Sequence, residues 1–135
     1  MEKYLKKNSR YKCLKIYVVI HLYMKVLQLA VLASGKGSNL LAIIKAIENG
    51  ILPCKICVVC TNKKCGAHDI AVKHKIPTIQ SISTEFKSKS EREKYDENLA
   101  VLLKESNPVI VVLAGWMHIL SSKFIDNFRH IINLH

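Results

Sequence analysis

The sequence predicts an α/β fold: a Rossmann-like, mostly parallel sheet flanked by helices. Three observations carry that expectation. Val26 to Ala33 and Val109 to Ala114 are almost continuously apolar, which is the composition of strands buried on both faces of a parallel sheet. Between them, apolar residues recur at helical spacing in segments that alternate with further short apolar runs. The first strand also runs directly into Ser34-Gly35-Lys36-Gly37-Ser38-Asn39, a glycine-bearing loop that opens a helix.

Taken in order, Leu40, Leu41, Ile43, Ile44 and Ile47 mark that helix. Ser38 and Asn39 are good N-cap types, and Gly50 sits where a left-handed stop belongs. Ile51-Leu52-Pro53 makes a turn. Cys54 to Thr61 reads as a second strand, ended by Asn62. Cys65-Gly66 leads into a short helix through Ala67, Ile70, Ala71 and His74, and Ile76 to Ile79 fits an edge strand, where proline is tolerated. Ser81 to Lys89 is a polar loop. Ser90 and Glu93 have capping-box spacing ahead of a helix with Tyr95, Leu99, Leu102 and Leu103 on one face, stopping before Asn107-Pro108. After the strand ending at Ala114, Gly115 and Trp116 to Leu120 form a loop. Ser121 starts a short helix through Phe124, Ile125 and Phe128, and His130 to His135 is one more strand at the ligand edge.

A chain of 135 residues suits a single domain with a real core. The formal charge of +11 is unevenly spread, with seven Lys or Arg against one acid in residues 1–25 and fourteen against nine in the rest. The body is therefore only mildly basic, which suits anionic small substrates as well as a polyanion. No aromatic-interleaved basic stripe or zinc-finger pattern points to nucleic acid. Residues 1–23 read as a basic extension ahead of Met24. A natural extension, an organelle-targeting presequence and a misassigned start all remain open for it. The apolar run Leu14 to Tyr23 is interrupted by Lys15 and His21 and is too short for a membrane span. Five cysteines, an odd number, point to free thiols in a reducing, cytoplasmic setting.

The loop after the first strand has a chemical use. Its glycines let backbone approach a ligand, and the free amides and positive end of the helix make a seat for phosphate; a tight turn that binds nothing is the alternative. A dinucleotide fingerprint is not present: Leu40 stands where its third glycine belongs, and Thr61-Asn62-Lys63 replaces the ribose-binding acid. Gly-Lys-Ser/Thr is absent in the frame a triphosphate loop needs. A phosphate monoester, such as a sugar phosphate, fits better than either.

Cys54, Cys57, Cys60 and Cys65 imitate a metal-binding spacing. On a regular strand, however, Cys57 and Cys60 point opposite ways, and Cys54 and Cys60 share a face about 20 Å apart, so no metal is expected. His68, His74, His118 and His130 read as surface or packing residues. His135 differs, because it follows Asn133 by two on a strand, and the pair can act as acid/base and oxyanion partners.

Together, Ser34 to Leu40, Ser90 to Asp96, Ala114 to Leu120 and Asn133-Leu134-His135 stand in an order and spacing that resemble the phosphoribosylglycinamide formyltransferases of purine biosynthesis. The similarity runs from about Met24 to the last residue, so residues 24–135 correspond to the N-terminal portion of that domain. Methionyl-tRNA formyltransferases share Asn-x-His but lack this glycine loop, and formyltetrahydrofolate hydrolases also differ there. The resemblance implies formyl transfer from 10-formyltetrahydrofolate, as co-substrate, to the amine of glycinamide ribonucleotide. By position, Gly37, Ser38, Asn39, Leu40 and Leu41 would hold the ribonucleotide phosphate. Arg92, Met117, His118, Ile119 and Leu120 would line the folate site, and Asn133 would reach both ligands. Asn133 and His135 would be catalytic. The family more often has arginine where His118 stands, with contacts there that are largely main-chain. Its members also continue beyond the histidine into a Pro-Ser-Leu-Leu-Pro segment and an aspartate that orients it. The resemblance therefore implies little or no turnover by these 135 residues alone, and a non-catalytic sugar-phosphate-binding module is the rival expectation.

Overall fold

The computed structural model describes residues 26–83 and 85–134. The basic extension of residues 1–23, Thr84 and His135 lie outside the described residues. In chain order the elements are β1 (Leu27–Ala33), α1 (Ser38–Glu48), β2 (Cys54–Thr61), α2 (Gly66–Lys73), β3 (Thr78–Gln80), α3 (Lys89–Glu105), β4 (Ile110–Ala114), α4 (Ser122–Ile125) and β5 (Ile131–Leu134). The strands form one sheet in the order β3-β2-β1-β4-β5, and every neighbouring pair is parallel.

β1 is central, paired on both sides, and from Leu29 to Ala33 it is buried on both faces. Val31 and Ala33 pack with Leu40 and Ile44 of α1 and with Ala67 and Ala71 of α2. The alternate residues Ala30 and Leu32 face Leu99, Ala100 and Leu103 of α3 and Phe124 of α4. One helix pair thus covers each face, which is why the strands read as continuous apolar runs rather than alternating ones.

Local chemistry fixes the ends of the elements, sometimes two residues from where the pattern points. α1 stops in a Schellman motif: Gly50 at φ 72° donates to Ile47 O, and Ile51 donates to Ala46 O. Its N-cap is Gly37 rather than Ser38 or Asn39, which already occupy helical positions. α3 is capped by Ser88, whose Oγ accepts from Glu91 N at 3.1 Å, while Glu91 Oε2 accepts from Lys87 N at 2.9 Å. The chain offers two overlapping Ser-x-x-Glu frames, and the earlier one is used; Ser90 lies inside the helix. Asn107 takes the left-handed conformation at φ 50° before Pro108 and ends α3. α4 is only one turn, so Phe128 packs beyond its end.

Alternation fails in β2. A bulge shifts the β1–β2 register after Ile56, from Leu29↔Ile56 to Ala30↔Val58, so Cys57 has no partner of its own. Cys57 and Cys60 therefore pack on the same face, against the α3 side, and the expectation that they point apart is corrected. Cys54, two residues before Ile56 in unbroken register, is on the other face from Cys60. Burial pushes the Cys60 thiol up to about 12 and raises those of Cys54 and Cys57, which disfavours the thiolates that metal ligation requires. Among the described residues, no group of three His, Cys, Asp or Glu side chains converges as metal ligands. No helix among them is long and apolar enough to cross a membrane.

The choice of cap frame is testable by urea unfolding. Ser88→Ala should cost about 1 kcal/mol, and Ser90→Ala within about 0.5 kcal/mol of nothing.

Candidate functional site

The chain runs outward in one direction from β1 to β3 and in the other from β4 to β5, so the topological switch lies between β1 and β4. In open α/β sheets, ligands settle beyond the carboxyl ends of the strands at that switch. Two hydrogen bonds tie the β1 and β4 loops together there. Ser34 N donates to Gly115 O at 3.1 Å, and Met117 N donates to Ser34 Oγ at 3.1 Å; Ser34 is fully buried.

The glycine loop is seated on the start of α2. Gly37 is buried with φ 85°, and a Cβ there would lie 2.8 Å from both Ala67 Cα and Ile70 Cδ1. Gly66 is equally constrained from the other side, since its Cβ would meet Lys36 O at 2.7 Å. Ala67 N donates to Gly35 O at 3.1 Å and completes the contact. Gly35 has open space around it, so nothing in the fold demands glycine there; what the bare backbone at that position permits is close approach from outside.

The first intrahelical bond of α1 runs from Leu41 N to Gly37 O at 2.8 Å, leaving Ser38, Asn39 and Leu40 in the turn whose amides have no helical acceptor. No acidic residue occupies that turn, so the positive end of the helix is not neutralised locally. Ser38 and Asn39 are exposed; Leu40 is a core side chain with only its amide to offer; and Leu41 is half-buried with its amide already engaged. Backbone donors, supplemented by two polar side chains, are thus presented at this turn, an arrangement that suits an anion.

A second feature opens beside it. A cleft of about 1040 Å³ is lined by Asn62 and Lys63 from the end of β2, by Ser83 and residues 85–89, by Arg92 of α3, and by Met117, His118 and Ile119. On the other side of the same 116–120 loop, a smaller cleft of about 520 Å³ is lined by Leu113, Trp116 to Leu120, Ile125, Ile131 and Asn133. Met117 and Ile119 are each 78% exposed, large apolar side chains projecting between two clefts. His118 is half-buried and packs edge-on to Phe86, with ring centroids 4.8 Å apart, and tilted against Tyr95 at 5.7 Å. Three lining residues of the larger cleft carry a buried polar atom without a hydrogen-bond partner: Asn62 Oδ1, Arg92 Nε and His118 Nε2. Buried polar atoms are nearly always paired, so such a cluster fits a polar, hydrogen-bonding ligand.

Asn133 stands on β5 in register with Leu113, which is itself in register with Leu32. It is thus two strands from β1, about 10 Å across the sheet, on the same carboxyl edge as the glycine loop. The segments singled out from sequence meet along this one edge: the 37–41 turn, Arg92, Met117 to Leu120 and Asn133. His135 lies outside the described residues. Sequence reasoning missed Ser34 as the tie between loops, and it missed Asn62, Lys63 and Phe86 as cleft residues. The signal for Asn62 and Lys63 was their place at the carboxyl end of β2.

An open α/β sheet that presents free helix amides and a polar cleft at its switch-point edge has the layout in which such sheets place their ligands. The chain belongs to the formyl transferase family, which it matches over residues 17–135. It is 44% identical over 124 residues to a phosphoribosylglycinamide formyltransferase of Schizosaccharomyces pombe, covering 82% of this chain and 58% of that relative. It is 34% identical to the enzyme of the same name from Haemophilus influenzae, covering 80% of this chain and 50% of the relative. The phosphoribosylglycinamide formyltransferase structure from Coxiella burnetii superposes with a TM-score of 0.73 at 33% identity, covering 82% of this chain and 52% of that one. The chain therefore spans about half to three-fifths of the length of these relatives.

The two glycines should respond differently to substitution. Gly37→Ala forces a left-handed Cβ into α2 and should destabilise by about 2–4 kcal/mol in urea unfolding, whereas Gly35→Ala should leave stability within about 0.5 kcal/mol.

Proposed function

We propose that this chain binds glycinamide ribonucleotide and a 10-formyltetrahydrofolate co-substrate and belongs to an enzyme that transfers the formyl group to the ribonucleotide amine in purine synthesis. One observation carries the proposal: the anion seat of α1, the 116–120 loop and Asn133 share the carboxyl edge of the sheet, on either side of its switch point. The names of the relatives support the same reaction.

In this proposal the amides of Ser38, Asn39 and Leu40 hold the ribonucleotide phosphate, with Asn39 adding its carboxamide and Gly37 keeping the turn open. Arg92, Met117, His118, Ile119 and Leu120 hold the folate: the guanidinium takes its carboxylate end, and the apolar side chains on the loop cover its rings. The orphaned polar atoms of the larger cleft support a ligand of that mixed character. Attack of the amine on the formyl carbon puts negative charge on the formyl oxygen. Asn133 donates a hydrogen bond to that oxygen, and His135 stabilises it and passes a proton to the departing folate nitrogen. The free thiols of Cys54, Cys57, Cys60 and Cys65 support a reducing, cytoplasmic setting.

Calorimetry tests the placement of both ligands. Asn39→Ala should weaken glycinamide ribonucleotide binding about 5- to 20-fold and leave tetrahydrofolate binding unchanged; Arg92→Ala should do the reverse. A chain that binds neither ligand would remove the proposal, and an Asn39→Ala variant with full ribonucleotide affinity would remove the placement of the phosphate.

A further inference from the structure

Among the polar groups of the larger cleft, Asn62 stands apart. It is 6% exposed, its Oδ1 is buried without a hydrogen-bond partner, and it lines the cleft together with Lys63, Ser83 and residues 85–89. Arg92 and His118 are half-buried, so a rotamer change can return their orphaned nitrogens to solvent. Asn62 has no such exit. It follows directly on β2, whose last residue Thr61 accepts from Ser81 N at 2.9 Å, and Asn62 O itself accepts from Ser83 N at 3.0 Å. Its backbone is held on both sides, and its side chain is short.

Nothing in the fold requires a carboxamide at this position. Asn62 is not in the left-handed region, where asparagine is favoured, since only Lys75 and Asn107 among the described non-glycine residues have positive φ. Its side chain neither caps a helix nor bridges two strands: Cys65 holds the N-cap position of α2, where no side chain makes a cap bond, and the loop contacts here are made by backbone. A buried acceptor left unmet is unfavourable in the free protein, and a donor arriving with a ligand relieves that.

We infer that Asn62 is a further specificity-determining residue of the cleft, its buried carboxamide oxygen accepting a hydrogen bond from an amide or amino N–H of the bound folate. This rests on the folate placement proposed above. A pocket built to pair a ligand N–H discriminates strongly against analogues lacking it, because its own polar group is then stranded.

The experiment combines thermal unfolding of the free chain with calorimetric titration by tetrahydrofolate and, separately, by glycinamide ribonucleotide. Asn62→Leu removes the acceptor at similar volume. It should leave the unfolding temperature equal or higher, weaken tetrahydrofolate about tenfold and leave the ribonucleotide unchanged. Asn62→Asp keeps an acceptor in place and should stay within about threefold of the wild type for tetrahydrofolate. Equal tetrahydrofolate affinity in Asn62→Leu, a lowered unfolding temperature in that variant, a loss confined to the ribonucleotide, or an Asn62→Asp as weak as Asn62→Leu would each overturn the inference. Wild-type chain that fails to bind tetrahydrofolate would overturn the folate placement itself, and this inference with it. Wild-type binding with no effect at Asn62 overturns this inference alone.

Discussion

The site depends on the pairing of β1 with β4 and on what that pairing does just past the strand ends. Parallel neighbours with no strand between them bring two loops side by side, and Ser34 then joins them with its amide and its hydroxyl. Because Ser34 is fully buried, those bonds are shielded from competing water. The turn with the unpaired amides of α1 begins three residues further along one of these loops, and the Met117-His118-Ile119 segment begins two residues along the other. One buried serine thus couples the two loops, and with them the first-turn amides of α1 and the exposed apolar side chains of Met117 and Ile119.

The second constraint is steric. Gly37 lies too close to Ala67 and Ile70 for any Cβ, and Gly66 too close to the backbone of Lys36, which presses the turn after β1 onto the first turn of α2. That contact, rather than a side-chain cap, sets where α1 starts. A helix whose N-cap is a left-handed glycine keeps its first-turn amides uncommitted, since no Ser or Asp oxygen folds back to take them. Steric necessity and ligand chemistry therefore coincide at Gly37 but separate at Gly35, where the fold is indifferent.

Much of this was legible in the residues. Continuous apolar strands, helical spacing and the glycine-bearing loop gave the layers, the order of elements and the strand-to-helix turn that opens α1, because each rests on local chemistry. Boundaries slipped where two local signals competed, as between the Ser88 and Ser90 frames of α3. The faces of β2 were misjudged because strict alternation has no way to anticipate the extra residue at Cys57, which comes from pairing with β1 rather than from anything in Cys-Lys-Ile-Cys-Val-Val-Cys-Thr itself. The role of Ser34 and the burial of Asn62 were out of reach for a related reason, since both are consequences of which loops meet in space.

The larger cleft has one more consequence. Its rim carries Lys63, Lys87, Lys89 and Arg92 against a single acid, Glu85. Positive charge around a concavity focuses the field outward, partly offset here by Glu93 at 3.7 Å from Lys89, and such a field would favour the approach of an anion. Any such attraction would be strongest in dilute buffer and would fade as added electrolyte shortens the Debye length.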